Sequence, residues 1–436
     1  MDRLSQARIL RLWAPLEAAW LLMAVEGPYL AAILARLADA TTNLAAFGVA
    51  WGFAMLFESP VILIMSASTA LVDNQHSLRK LRSFLYALIG TVTLGLALFV
   101  TPPVFRAVTE TIMGLPPEVA RLAHPACVLL LPWPGAIGYR RFHQGILVRS
   151  GLTRRIAYGT ALRLTSMGAT AVLLAAVTPW PGAMVGTAAL SAGVVMEAAA
   201  SRFWAREPIR VLKAARPSPE YLGNPLTHRS IAHFYLPLAL TSILNLGVNP
   251  LVAFFLGRSR LPLESLAVMP VVNGVAFAFN TAGLTFQEVA ITLFSQDRTW
   301  LPQLKRFAGM LALVTSGALA VMASTPLLDL WLRHVAGLSP YLARLSRLPV
   351  TVLVLLPALT AVICFQRALL VVVRTTRTIT WSTVVEVAGI AASLFALIQL
   401  AGWVGAVAAA SALVAGRLAA VFYLLPRTAR AVRVAT

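Results

Sequence analysis

Residues 140–144, Arg-Arg-Phe-His-Gln, interrupt a stretch that otherwise reads as a membrane helix. ACVLLLPWPGAIGY precedes them, Gly145-Ile146-Leu147-Val148 follows, and the next basic residue is Arg149. A helix running on from Arg140 to Arg149 covers about 13 Å, which sets Arg140 and Arg141 well below the membrane surface. Arg140, His143 and Gln144 then share one face at i, i+3 and i+4. A guanidinium matches phosphate or carboxylate oxygens as a two-pronged donor, so this group reads as an anion-binding surface. The competing reading is a helix end, because Leu122 to Tyr139 is already long enough to cross a bilayer. The second half of the chain echoes the motif: Gln366-Arg367 is followed by apolar Ala368 to Val373 and then Arg374. Asn245 and Asn249, four apart and followed by Pro250, present two amides on one helix face and are assigned to the same surface.

Acids lie in apolar runs too. Glu26 is followed by Gly27-Pro28 and Glu58 by Ser59-Pro60, so each sits beside a helix breaker that frees a backbone carbonyl. Glu288 occupies a loosely comparable place in the second half, as Leu-Thr-Phe-Gln-Glu against Met-Leu-Phe-Glu. These three are the expected ion-coupling residues, for a proton or sodium ion. Glu17, Glu197 and Glu386 read first as partners that hold helices together. A charge at the bilayer centre costs about 2.5–3.5 kcal/mol, so it is kept where it pairs or lines a wet cavity.

The elements that must position these residues follow from composition. The chain is 59% hydrophobic and 12% charged, with a mean hydropathy of +0.79. That composition makes it an all-α polytopic membrane protein. Spans are expected at 12–36, 44–72, 83–105, 122–148, 157–179, 181–204, 230–257, 264–295, 306–331, 348–373, 379–402 and 404–426. The net charge of +20 is not a nucleic-acid signature. About 23 basic residues fall in one set of alternating connections and termini against about 8 in the other, which places both termini in the cytoplasm and the protein in a cell's inner (plasma) membrane.

Residues 205–229, AREPIRVLKAARPSPEYLGNPLTHR, read as a cytoplasmic linker between two six-helix lobes, 1–204 and 230–436, whose basic residues lie within reach of lipid headgroups. The halves repeat weakly. LWAPLEAAW matches FYLPLALTS, DNQHSLRKLRSF matches DRTWLPQLKRF, and FHQGILVR matches FQRALLVVVR. Parallel six-helix repeats enclosing a central cavity are a transporter plan. Cys127 and Cys364 lie in apolar runs and read as packing. No P-loop, CxxC or HxxxH pattern occurs, so no enzyme, cofactor or metal site is expected.

The pattern resembles the multidrug/oligosaccharidyl-lipid/polysaccharide exporter superfamily, which includes the MATE antiporters. Within it, the chain is most similar to the progressive ankylosis protein family. The resemblance rests on FYLPLALTSI (234–243), His143 to Arg149, Glu26, and GWVGAVAAASALVAG (402–416). It implies an alternating-access exporter of small polyvalent anions such as pyrophosphate, nucleotides or citrate-like acids, acting as a monomer. Two departures bear on substrate and coupling. Met23 stands where that family has a second acid, and VILIMSAS (61–68) lacks its helix-2 charges. A cation-coupled multidrug exporter and a lipid-intermediate flippase are the alternatives.

Overall fold

The computed structural model describes residues 4–214, 226–373 and 375–435. Arg374 and the linker residues 215–225 lie outside the described residues. The protein is a polytopic all-helical membrane protein, with eleven helices among the described residues long and apolar enough to cross a membrane. The main helices are α1 (Gln6–Leu34), α2 (Ala40–Glu58, resuming as Ile64–Leu71), α3 (Gln75–Phe99), α4 (Pro117–Val128, then Trp133–Arg149), α5 (Thr153–Val177) and α6 (Gly182–Trp204). After the short helix Arg206–Ala214 come α7 (His228–Leu256), α8 (Pro262–Gln296), α9 (Leu301–Ser324), α10 (Pro340–Val372), α11 (Thr376–Leu394) and α12 (Gly405–Ala435).

The helix outside those eleven is α4, because the span expected at 122–148 is divided into two shorter helices, Pro117–Val128 and Trp133–Arg149. Pro132 and Pro134 have no N–H to donate, and the chain between the helices is held by tighter bonds: Leu130 N to Cys127 O, Leu131 N to Val128 O and Trp133 N to Leu130 O. The second helix of α4 does run through Arg140 to Arg149. α1 breaks at Val25, just before Glu26, and the first helix of α2 ends at Glu58, before Pro60.

The chain packs as two compact units. One is continuous, Leu37–Ala253; the other is composite, Met1–Arg36 with Phe254–Thr436. This differs from the expected division at 204 and 230, since α1 packs with the later helices and most of α7 with the earlier ones. In the composite unit Trp13 Nε1 donates to the Ala282 carbonyl (3.1 Å), and the Thr281 and Thr285 hydroxyls lie 2.7 Å from the two carboxylate oxygens of Glu17. Ile9 is buried with Phe286 and Phe307. In the continuous unit Tyr235 packs among Leu81, Leu85 and Phe142, and its hydroxyl donates to the Pro60 carbonyl at 2.6 Å.

The internal repeat runs deeper than the matched fragments suggested. Each unit has a π-helical turn, Ala107–Ile112 or Leu330–Val335, followed by a left-handed glycine, Gly114 (φ 66°) or Gly337 (φ 74°). Pro117 and Pro340 then open α4 and α10. The second parts of these helices, Trp133–Arg149 and Leu356–Val372, are both 17 residues long. Counted from their first residues, Gln144 matches Arg367 rather than Gln366. The matched fragments FHQGILVR and FQRALLVVVR align in this same register, with Phe142 on Phe365.

Candidate functional site

In the continuous unit, Arg140 on α4 donates through Nη1 to Glu197 Oε2 on α6. Arg163 on α5 places its Nε 3.7 Å from the same oxygen. Gln144, one turn beyond Arg140, donates its amide to Glu197 Oε1 at 3.0 Å. Glu197 is 1% exposed and Arg140 4%, so this is a buried group rather than a helix end. Glu58 on α2 lies in the electrostatic field of Arg140, Arg141 and Arg163 and accepts from Trp133 Nε1 at 2.8 Å. Arg141 is partly buried and points toward Met65, with Nη1 3.9 Å from its sulfur. Two guanidiniums thus share Glu197, with Arg141 and Glu58 in the same electrostatic neighbourhood. Burying such a set unpaired would cost several kcal/mol per ion, and the carboxylates only partly offset it.

The composite unit builds the same kind of group. Arg367 Nη2 on α10 lies 3.2 Å from Glu386 Oε2 on α11, and Arg417 Nε on α12 donates to Glu386 Oε1 at 2.6 Å. Arg417 Nη1 also donates to the Thr360 hydroxyl (3.1 Å), which in turn lies 3.2 Å from Asn280 Oδ1. Two guanidiniums share one carboxylate. This group is more open, with the Arg367 and Arg417 side chains 17% and 23% exposed.

At one equivalent position the two groups carry opposite charges, and their partners on the next helix sit three residues apart in register. Counted from Thr153 and Thr376, Arg163 and Glu386 hold the same position. Each faces a glycine on the following helix: a Cβ on Gly193 would come within 3.0 Å of the Arg163 carbonyl, and one on Gly416 within 2.7 Å of the Glu386 carbonyl. The backbones therefore meet at the charged residue in both units. The partner across that contact is Glu197 on α6 in one case and Arg417 on α12 in the other.

The remaining candidates lie elsewhere. His143 is buried, but its Nδ1 is 2.8 Å from the Tyr139 carbonyl and its ring packs on Tyr139 at 4.4 Å between centroids, away from Glu197. Gln366 is buried too, and donates to the Val421 carbonyl at 3.3 Å rather than joining Glu386. Asn245 is exposed; Asn249 is half-buried and reaches only the Leu246 carbonyl, at 3.5 Å. Glu26 is buried at the break in α1, with 6% exposure. Glu288 is exposed on α8. Arg163 and Arg417 were expected as arginines inside spans but were not assigned to the site, and Thr360 and Trp133 were not singled out. The signal for the first two was present, as an arginine inside an apolar span.

Neither the family models nor the curated proteins give a match to this sequence. Solved structures do. The chain is similar to the lipid II flippase MurJ in an inward closed conformation, with a TM-score of 0.71 and 13% identity over 95% of this chain and 87% of that one. It is similar to an inward-facing multidrug resistance MATE family transporter of the MOP superfamily, with a TM-score of 0.63 and 13% identity over 96% and 94%. A Vibrio cholerae MATE transporter, VcmN, gives a TM-score of 0.60 and 12% identity over 98% and 96%. The fold is that of the MATE transporters and MurJ.

Proposed function

We propose that this protein is a secondary transporter that exports small polyvalent anions bearing phosphate or carboxylate groups by alternating access. One observation carries the reading: guanidiniums outnumber carboxylates in the buried group of each unit, Arg140, Arg141 and Arg163 against Glu58 and Glu197, and Arg367 and Arg417 against Glu386. A surplus positive charge kept out of water attracts an anion and disfavours an organic cation. Arg140, Arg141 and Gln144 in the continuous unit and Arg367 in the composite unit are the proposed anion-binding residues of their own groups, whereas His143, Gln366, Asn245 and Asn249, expected beside them, make their contacts elsewhere. Arg417 and Arg163 join the anion-binding residues. Glu26, Glu58 and Glu288 are the proposed coupling acids, for a proton or sodium ion. The membrane is a cell's inner membrane, with both termini cytoplasmic. The family resemblance of the sequence points the same way, to pyrophosphate, nucleotide or citrate-like cargo.

The test is uptake into inside-out vesicles or proteoliposomes. Labelled pyrophosphate, ATP and citrate are compared with a cationic dye and a lipid-linked diphosphate, for wild type, Arg140→Ala and Arg367→Ala. Anion uptake that falls at least tenfold in either variant supports the reading (about 1.4 kcal/mol of lost interaction). Dye uptake without anion flux overturns it in favour of a multidrug exporter. Movement of the lipid-linked diphosphate alone overturns it in favour of a flippase.

A further inference from the structure

Beyond the transport site, the end of α6 carries a row of cations with no role in the buried groups. Arg202, in the last turn of α6, is followed by Arg206, Arg210 and Lys213, in the short helix Arg206–Ala214. The chain turns only at Ala205, which keeps a helical backbone conformation. The four cations therefore line one side, spaced three or four residues apart, over about 16 Å. All four are exposed, and among the described residues none makes an ion pair. Glu207, one residue from Arg206, lies on the neighbouring stripe of the helix.

Two features distinguish this row from a solvated loop. First, the short helix is pinned. Ala205 (0% exposed) and Ile209 (7%) are packed in the core with Leu78, Leu81 and Leu85, and Leu212 lies against them. Arg155 also donates to the Trp204 carbonyl at 2.9 Å, closing the end of α6. The buried stripe faces protein, so the charged stripe is held outward by a fixed element. Second, the row begins where a membrane helix ends. Phe203 is 58% exposed and Val211 63%, and the Arg206 guanidinium lies 4.9 Å over the Phe203 ring. An exposed aromatic ring under a guanidinium suits the boundary between acyl chains and headgroups.

We propose that Arg202, Arg206, Arg210 and Lys213 form a binding surface for the headgroups of anionic glycerophospholipids in the adjoining leaflet. The partner follows from charge complementarity and from the level of Phe203. Lipid phosphates are the anions concentrated at that depth, and clustered Lys and Arg beside a membrane helix attract them.

The experiment uses the full-length protein with a fluorophore on Ala214→Cys, in bilayers of equal parts phosphatidylcholine and phosphatidylglycerol. Quenching is read from trace lipid spin-labelled near the headgroup, of either type. In the otherwise unchanged chain, labelled phosphatidylglycerol is expected to quench about twofold more than labelled phosphatidylcholine. In R202Q/R206Q/R210Q/K213Q the two should quench equally, and the bias should shrink as salt is raised. The milder R210Q/K213Q, with an expected intermediate bias, decides the matter if the fourfold variant does not fold. Equal quenching in the parent chain, or a bias that survives in folded R210Q/K213Q and the fourfold variant alike, would overturn the proposal.

Discussion

Gln144 and Arg367 occupy the same position in equivalent 17-residue helices, and each donates a side-chain N–H to a buried glutamate on a helix further along its own unit. The neutral residue serves where Arg140 already supplies a guanidinium one turn earlier. The charged one serves where the residue at the Arg140 position is the buried, apolar Ile363. Each glutamate ends with a donor on each of its oxygens.

Removing the central carboxylate of the tighter group takes from Arg140 and Arg163 the acid they share. Glu197→Gln is expected to destabilise the protein by about 3–5 kcal/mol, since the cost is that of uncompensated buried charge rather than of one hydrogen bond. Thermal unfolding in detergent, followed by circular dichroism, reads it. A loss below about 1 kcal/mol would mean that water reaches the group freely.

The arrangement in the composite unit suggests a rescue. Arg163→Glu and Glu197→Arg, made singly, each bury two like charges, and both should unfold at lower temperature than wild type. Made together they place an acid on α5 and a base on α6, the order of charge that Glu386 and Arg417 have on α11 and α12, with the base three residues further along its helix. The double variant is expected to recover about 0.5–3 kcal/mol relative to the sum of the single effects, measured as a double-mutant cycle.

Gly145 lies where α4 crosses the second part of α2. A Cβ there would come within 1.8 Å of Ser68 Oγ and 2.5 Å of the Met65 carbonyl. Gly145→Ala is expected to cost about 1–3 kcal/mol through forced separation of the helices. Ser68→Ala in the same chain should recover only part of it, because the Met65 carbonyl is backbone and stays. Full recovery in the unfolding midpoint would show that the side chain alone sets the spacing.

At the opposite end of the composite unit, Arg36 ties the end of α1 to the turn before α10. Its Nη2 donates to the carbonyls of His334 (2.6 Å) and Val335 (3.0 Å), and its Nη1 to that of Ala32 (2.6 Å). Gly337 sits against it with φ 74°, and a Cβ there would come within 2.8 Å of Arg36 Nη1. Gly337→Ala should cost about 1–2 kcal/mol from its left-handed backbone. Adding Arg36→Ala should relieve the contact but not the backbone strain, so the pair is expected to be less than additive in the unfolding midpoint.

Much of this was legible in the sequence. Composition and hydropathy gave the membrane class, and the apolar run after Gln144 showed that the arginines of α4 lie within a helix. What the sequence left obscure has physical causes. Pro132 and Pro134 split α4 in a place where hydropathy alone continues smoothly. The assignment of α1 depends on Glu17 meeting Thr281 and Thr285, a contact between residues far apart in the chain. The matched fragments set Gln144 opposite Arg367, but residue type hid that an amide and a guanidinium bind a glutamate from the same position.

The opposite charges at residues 163 and 386 also bear on ancestry. If the two units descend from one duplicated segment, neither arrangement can become the other by a single substitution without first burying two like charges against a glycine contact. The two positions must therefore change as a linked pair, or pass through a form in which both are neutral. Across descendants of the same duplication, the residues at 163 and 197 should vary in concert, as should those at 386 and 417, while Gly193 and Gly416 stay fixed whichever helix carries the acid.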